Sequence, residues 1–240
     1  MGCHTVVLFL VCAFIFPRLT MAGIAKLHFP YESEKDVFPR VRIKSYFSSL
    51  SSFTLCQWVK PIFDGREMAI FSYGVPGQDR EILLSLNSSV RLYVGGNLLL
   101  DQQCNGLKPV YWISGAWYYI CVTWTSTQSS IRSFVNGIFC SKASSEYSAH
   151  KVPGNGVMVL GQDLKGLDTS FHKNNSWSGD IAGVQMWDEV LTYEQIVDHG
   201  RCKGNKEGNV VAWMKTPMIV YDEVILSVTD VCDVLKKIDI

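Results

Sequence analysis

Residues 117–125 read Trp117-Tyr118-Tyr119-Ile120-Cys121-Val122-Thr123-Trp124-Thr125. β-Branched and aromatic side chains fill this stretch, and they suit a pleated, half-buried surface far better than a helix. On either side, 52–59 (SFTLCQWV), 81–86 (EILLSL), 90–94 (VRLYV) and 131–135 (IRSFV) have the same character, with Gly, Pro, Asn and Ser between them. Short strands at this spacing predict an all-β, two-sheet sandwich. Asn136-Gly137, set between 131–135 and 138–141, predicts a hairpin through a type I′ turn, because both residues tolerate positive φ. Gly95-Gly96-Asn97 marks a second turn, whose type composition leaves open.

One stretch breaks the β pattern. Thr192 stands three residues before Gln195, the arrangement of a capping box, and Leu191 and Ile196 can close a hydrophobic staple around it. With Gly200 as the stop, one short α-helix is expected over 193–199. The sequence shows neither an internal repeat nor a low-complexity linker, so the strands and the helix belong to one domain.

Lys plus Arg number 22 and Asp plus Glu number 22, so no net field draws the chain to nucleic acid or to an anionic membrane. Residues 6–16 (VVLFLVCAFIF) form an unbroken apolar run, too short to span a bilayer but suited to the core of a signal peptide. Thr20-Met21-Ala22 supplies small residues for cleavage. The amino-terminal region has His4 but no Lys or Arg before the run, which leaves an uncleaved anchor as the alternative. The expected organisation is a signal peptide over 1–22 and one secreted, extracellular domain over 23–240, with no membrane span.

Cys3 and Cys12 fall in the leader, leaving Cys56, Cys104, Cys121, Cys140, Cys202 and Cys232. An even set in a secreted chain points to disulfides, and spacing alone does not choose the pairing. Zinc is disfavoured, because none of the six forms a Cys-x-x-Cys or stands at ligand spacing from His28, His150, His172 or His199. Asn87-Ser88-Ser89 and Asn174-Asn175-Ser176 are glycosylation sequons. No Gly-x-Ser-x-Gly elbow, His-Glu-x-x-His helix, phosphate-cradling loop or close carboxylate pair on an apolar strand is present, so the sequence reads as a binding protein and not an enzyme.

The stretch from Tyr119 to Ser126 resembles the pentraxin signature His-x-Cys-x-Ser/Thr-Trp-x-Ser/Thr, with Tyr119 its one departure. Similar stretches follow the family order: Phe29-Pro30-Tyr31-Glu32-Ser33, Phe53-Thr54-Leu55-Cys56, Gln78-Asp79-Arg80-Glu81-Ile82-Leu83, Val94-Gly95-Gly96, Leu160-Gly161-Gln162-Asp163, Gly179-Asp180-Ile181 and Met186-Trp187-Asp188. The chain thus resembles a divergent pentraxin, of the C-reactive protein and serum amyloid P kind. The resemblance implies a lectin-like jelly roll with one long helix over one face and ligand sites on the other, in a cyclic homo-oligomer. Trp124, Trp187 and Trp213 are expected to anchor the sandwich interior. By resemblance Cys56 and Cys121 form the family's inter-sheet bridge. Cys202 is then assigned to Cys232, closing the C-terminal segment onto the domain, and Cys104 and Cys140 are left for each other; a bridge between subunits is the alternative.

Pentraxins hold Ca²⁺ in a cluster of side-chain oxygens and one carbonyl, and the resemblance places the residual metal site at Asp79, Asp163, the Leu164 carbonyl and Asn175. Three positions depart from that pattern. Arg80 and Lys165 stand where the family supplies oxygen donors, and His172 replaces a later Glu, although nearby Asp168 can substitute. Calcium is therefore a weak or lost cofactor, and the alternative is a salt-bridged surface in which Arg80 and Lys165 pair with Asp79 and Asp163. The positions of the family's choline pocket become Ser85, Tyr93 and Leu98. The resemblance implies a lectin-like or pattern-recognition binder of innate defence, taking a phosphorylated, carbohydrate or protein surface as ligand. A calcium-independent adhesion or interaction module is the alternative.

Protein recovered from a secreting cell is expected to show an intact mass lacking residues 1–22. Secreted material that retains Met1 contradicts the leader.

Overall fold

The structure, a computed structural model, describes residues 23–31, 37–104, 111–127, 130–144, 149–165, 167, 170–171 and 173–232. Residues 1–22, where a signal peptide is expected, and Asp168 and His172 lie outside them. Among the described residues no helix is long and apolar enough to cross a membrane.

The first half of the chain contributes β1 (Ile24–Phe29), β2 (Arg40–Ile43), β3 (Ser49–Leu50), β4 (Ser52–Pro61), β5 (Met68–Val75), β6 (Gln78–Leu86), β7 (Val90–Val94) and β8 (Asn97–Gln102). Then come β9 (Tyr118–Thr125), β10 (Ser130–Val135), β11 (Ile138–Ser144), β12 (Val152–Pro153), β13 (Val157–Leu160), β14 (Gly179–Trp187), helix α1 (Tyr193–Gly200), β15 (Met218–Tyr221) and β16 (Ile225–Thr229). One sheet has the order β11-β10-β9-β4-β14-β1-β16 and the other β15-β2-β13-β5-β6-β7-β8, with β12 and β3 as a small separate pair. This is the two-sheet jelly-roll sandwich. Asn136 and Gly137 take φ of 53° and 77° in the β10–β11 turn, and Gly95 and Gly96 take 59° and 77° between β7 and β8. Both hairpins therefore close through primed turns, which match the strand twist.

The central strand β4 is buried on both faces, and the period of two sorts its side chains between two cores. Phe53, Leu55 and Val59 enter the sandwich interior beside Trp124, Ile70, Leu84 and Ile181. Cys56 and Trp58 point the other way, into a second cluster with Tyr119, Cys121, Phe134, Trp187, Leu191 and Ile196. Helix α1 closes that second cluster. Thr192 is its N-cap: its Oγ accepts from Gln195 N–H while the Gln195 side chain accepts from Thr192 N–H at 2.9 Å, completing the capping box. The helix has eight residues and is short, not long. Gly200 is its last residue and not its stop; the chain leaves through Arg201 and then Cys202, which takes the left-handed turn with φ of 55°.

The three pairings are Cys56–Cys121, Cys104–Cys140 and Cys202–Cys232. The Cys56–Cys121 bridge does not join the two sheets. Its cysteines face each other directly on neighbouring strands β4 and β9, with Cα atoms 4.1 Å apart, and lie under α1. Parity is the reason, since Leu55 on one side of Cys56 takes the interior-facing position. The link between sheets belongs to Cys104, just past edge strand β8 of one sheet, and Cys140 on edge strand β11 of the other. The tryptophans are packed, but in different places. Trp124 is in the sandwich core, Trp187 is under the helix with its indole N–H donating to the Glu207 carbonyl, and half-buried Trp213 donates to the Ala25 carbonyl.

Gln57 lies on the interior-facing side of β4 between Leu55 and Val59, is fully buried, and finds no hydrogen-bond partner among the described residues for either amide atom. Burying an amide unpaired costs about 1–3 kcal/mol. Gln57→Leu keeps the volume and removes the unpaired atoms, so denaturant unfolding should show a gain of about 1–2 kcal/mol. A loss of stability would mean that the amide is satisfied by ordered water.

Candidate functional site

The outer face of the second sheet carries the site. On β7, Val90, Leu92 and Val94 face the interior, which turns Arg91 and Tyr93 outward. The segment after β13 folds over this face and is pinned there by its own polar groups. Ser72 Oγ donates to the Gln162 carbonyl at 2.6 Å, the Gln162 amide donates to the Pro39 carbonyl at 3.0 Å, and Gln162 Oε1 accepts from Ser176 Oγ at 3.0 Å. Gly161 permits the fold-over, because it takes φ of 86° and a Cβ there would lie 2.2 Å from the Phe29 ring. Asp163 is thereby fully buried.

A buried carboxylate requires a partner, and Arg80 on β6 supplies it. Arg80 Nε donates to Asp163 Oδ1 at 3.2 Å and Nη2 to Oδ2 at 2.5 Å, a two-point pair. The guanidinium, about a third exposed, also lies 5.3 Å from the centroid of the Tyr93 ring. The polar strip continues down the sheet through Glu67, which accepts from Ser85 Oγ at 2.6 Å, Arg91 Nη1 at 2.8 Å and Tyr93 Oη at 3.5 Å. Arg91 reaches on to Asp101 at 3.1 Å, and Asp101 also accepts from Ser89 Oγ. The Ser89 hydrogen bond, with Arg91 adding to it, holds the Asp101 carboxyl below its usual range, while burial pushes the Tyr93 phenol up. The strip has two guanidinium groups, Arg80 and Arg91, facing three carboxylates, Asp163, Glu67 and Asp101, a formal excess of one negative charge.

Asp79 is half-buried near the start of β6, Leu164 is fully buried, and Asn175 is half-buried in the short 3₁₀ turn Lys173–Asn175. Arg80 pairs with Asp163 alone among the described residues. Lys165 has no ion pair among them, and its carbonyl accepts from Ser170 N–H at 3.2 Å. Calcium needs six to eight oxygen ligands. Both Asp163 oxygens are engaged by a cation, and no cluster of three or more His, Cys, Asp or Glu suited to a metal occurs among the described residues. Among the described residues, those at the family's calcium positions do not form its metal cluster. Of the three choline-pocket positions, Ser85 and Tyr93 meet at Glu67, while Leu98 is exposed opposite Tyr93 on β8. Sequence reasoning missed Glu67, which follows a polar turn (DGR) and belongs to no strand pattern. The signal available was three outward-facing polar residues on adjoining strands, Ser85, Arg91 and Tyr93, that needed a common partner. It also missed Glu81, buried against His150 Nε2 at 2.6 Å, whose carboxyl is pushed up by that burial.

A family model described as the pentaxin family matches residues 26–228. The chain belongs to the pentaxin family. Among its pentaxin relatives, C-reactive protein 1.4 of Limulus polyphemus is 29% identical over 215 residues, covering 87% of each chain. The mouse pentraxin-related protein PTX3 is 32% identical over 204 residues, which are 79% of this chain and 52% of that protein. The native heptameric SAP-like pentraxin from Limulus polyphemus superposes with a TM-score of 0.81 at 26% identity, covering 87% of this chain and 97% of that one.

Arg80→Ala strands the Asp163 carboxylate in a buried site. Unfolding by denaturant should show a loss of about 3 kcal/mol, the low end for a broken buried pair because Arg80 is partly solvated. A change below about 0.5 kcal/mol, the range of ordinary surface substitutions, would mean the pair does not hold the covering segment.

Proposed function

We propose that this pentaxin is a secreted, homo-oligomeric binding protein of innate defence, acting by recognition and not by catalysis. Its ligand is an extracellular phosphorylated, carbohydrate or protein surface, and its calcium site, the remnant Asp79, Asp163, Leu164 carbonyl and Asn175, is degenerate. Family membership supplies the class of function. The observation that gives it this form is the Arg80–Asp163 pair, which occupies the carboxylate a metal cluster would use. Recognition then depends on the side chains of the polar strip itself, where Arg91, Tyr93 and Glu67 offer donors, an aromatic ring and an acceptor.

A calcium-independent adhesion or interaction module is the second reading. Edge strand β16 favours it, with Ile225, Leu226 and Val228 each more than half exposed on one short strand. Exposed apolar patches of this kind mark protein contacts.

Purified secreted protein should sediment as an oligomer and stay bound to an immobilised microbial polysaccharide when EDTA is added. Complete elution by EDTA would sink the calcium-independent form of the reading, and a monomer that binds only other proteins would favour the module. Replacing both cations with oxygen donors, Arg80→Asn with Lys165→Asp, should tighten Ca²⁺ binding by at least about tenfold, or roughly 1.4 kcal/mol, in calorimetry.

A further inference from the structure

The end of β6 remote from Arg80 runs into the turn that holds Asn87, and there three other segments converge on it. They form a groove of about 540 Å³ whose lining includes Phe63, Arg66, Asn87, Gln103, Tyr111 and Trp112. That volume lies within the range of about 300–1,000 Å³ usual for small-molecule clefts. Its aromatic wall is held in place, since the Trp112 ring sits 4.7 Å from that of Tyr118 and 6.5 Å from that of Phe63. Tyr111 stands at the rim, 77% exposed. Arg66 is fixed by its bonds to the Asp64 carboxylate and the Lys173 carbonyl.

Asn87 is itself ordered. Its Oδ1 accepts from Ser89 N–H at 2.8 Å and from Ser89 Oγ at 3.2 Å, which leaves Nδ2 with no hydrogen bond among the described residues. Nδ2 is the atom that an N-linked glycan modifies, and Asn87-Ser88-Ser89 is a sequon. We propose that Asn87 carries an N-linked glycan and that its first N-acetylglucosamine residues lie in this groove. The apolar faces of the sugar rings meet Trp112 and Tyr111, and their hydroxyl and acetamido groups face Arg66.

The chemistry favours the chain's own glycan over a free sugar. A pyranose has one face of C–H groups, which suits the negative face of an aromatic ring, and the Arg66 guanidinium provides donors beside it. Single contacts of this kind are weak. Tethering at the wall of the groove raises the local sugar concentration to the millimolar range or above, so weak contacts suffice. Attachment consumes a lipid-pyrophosphate-linked oligosaccharide: the Nδ2–C1 bond forms as the C1–O bond to pyrophosphate breaks. The lipid pyrophosphate leaves with the electron pair, and Nδ2 yields a proton to a base of the transferring enzyme. Asn174 is an internal control, because it is exposed and does not line this groove.

The inference rests on the secretion reading. The full chain is expressed in secreting animal cells, and glycopeptide mass spectrometry is applied to medium and lysate, with Asn87→Gln as reference. The expected result is a glycan at Asn87 that peptide N-glycanase removes slowly from the native protein. Trp112→Ala and, separately, the rim change Tyr111→Ala should speed that release by about tenfold, as the tether no longer docks, without altering release at Asn174. Secreted protein unmodified at Asn87 overturns the proposal alone, whether or not a free sugar binds the groove. Equal release rates in the wild type and both variants overturn the docking. Protein that stays in the cytosol, unmodified at both sequons, overturns the secretion reading together with this one.

Discussion

Strand β4 is buried along both faces, and a sheet with two apolar faces needs a cover on each. The second sheet covers one face of β4. The other face, bearing Cys56 and Trp58, lies in a second cluster to which α1 adds Ile196 and the chain beside it Leu191, so the helix helps to complete the sheet's cover. This explains why so short a helix is capped so fully. Eight residues are marginal alone, and the Thr192–Gln195 box together with burial of Leu191 and Ile196 supplies what propensity does not. Tyr119, where the family has His, also fits this view: its ring lies 5.2 Å from that of Trp58 and fills the space under the helix.

The same sandwich keeps its outer second face free for a polar surface. There the covering segment must be held against the sheet, and a buried Asp163 must be neutralised. Both needs are met by Arg80, a cation built into the chain, whose position beside Tyr93 links the covering segment to the rest of the strip. Along the strip the outward residues engage one another, Ser85 and Arg91 through Glu67 just before β5, and Arg91 with Asp101 opposite it on β8. Such cross-strand pairs stiffen a sheet face.

Much of this was legible in the sequence. The strand spans, the Asn136-Gly137 turn and the capped helix follow from local chemistry, which period and turn residues record directly. Family resemblance supplied the Cys56–Cys121 pair but misplaced it, because whether a bridge lies within or between sheets depends on which face a cysteine takes. That parity is fixed by the neighbours Leu55 and Gln57 and was readable in principle. The partner of Asp163 was less legible. Four cations and anions lie close in sequence order at 79–80 and 163–165, and only the fold-over at Gly161 selects Arg80 from among them. Glu67 was hidden for a similar reason, since its contacts come from strands that join it only through long-range register.

The Cys202–Cys232 bond has a mechanical consequence. It joins the residue just past α1 to a residue just past β16, and so encloses the whole intervening segment in a covalent loop. A pull on the chain beyond Cys232 passes through sulfur to Cys202 and on to the helix, bypassing β16. The load would therefore fall on the packing of α1 against the sheet, while the hydrogen bonds that zip β16 onto β1 stay slack. Reduction would reverse this, and the edge strand would peel one rung at a time.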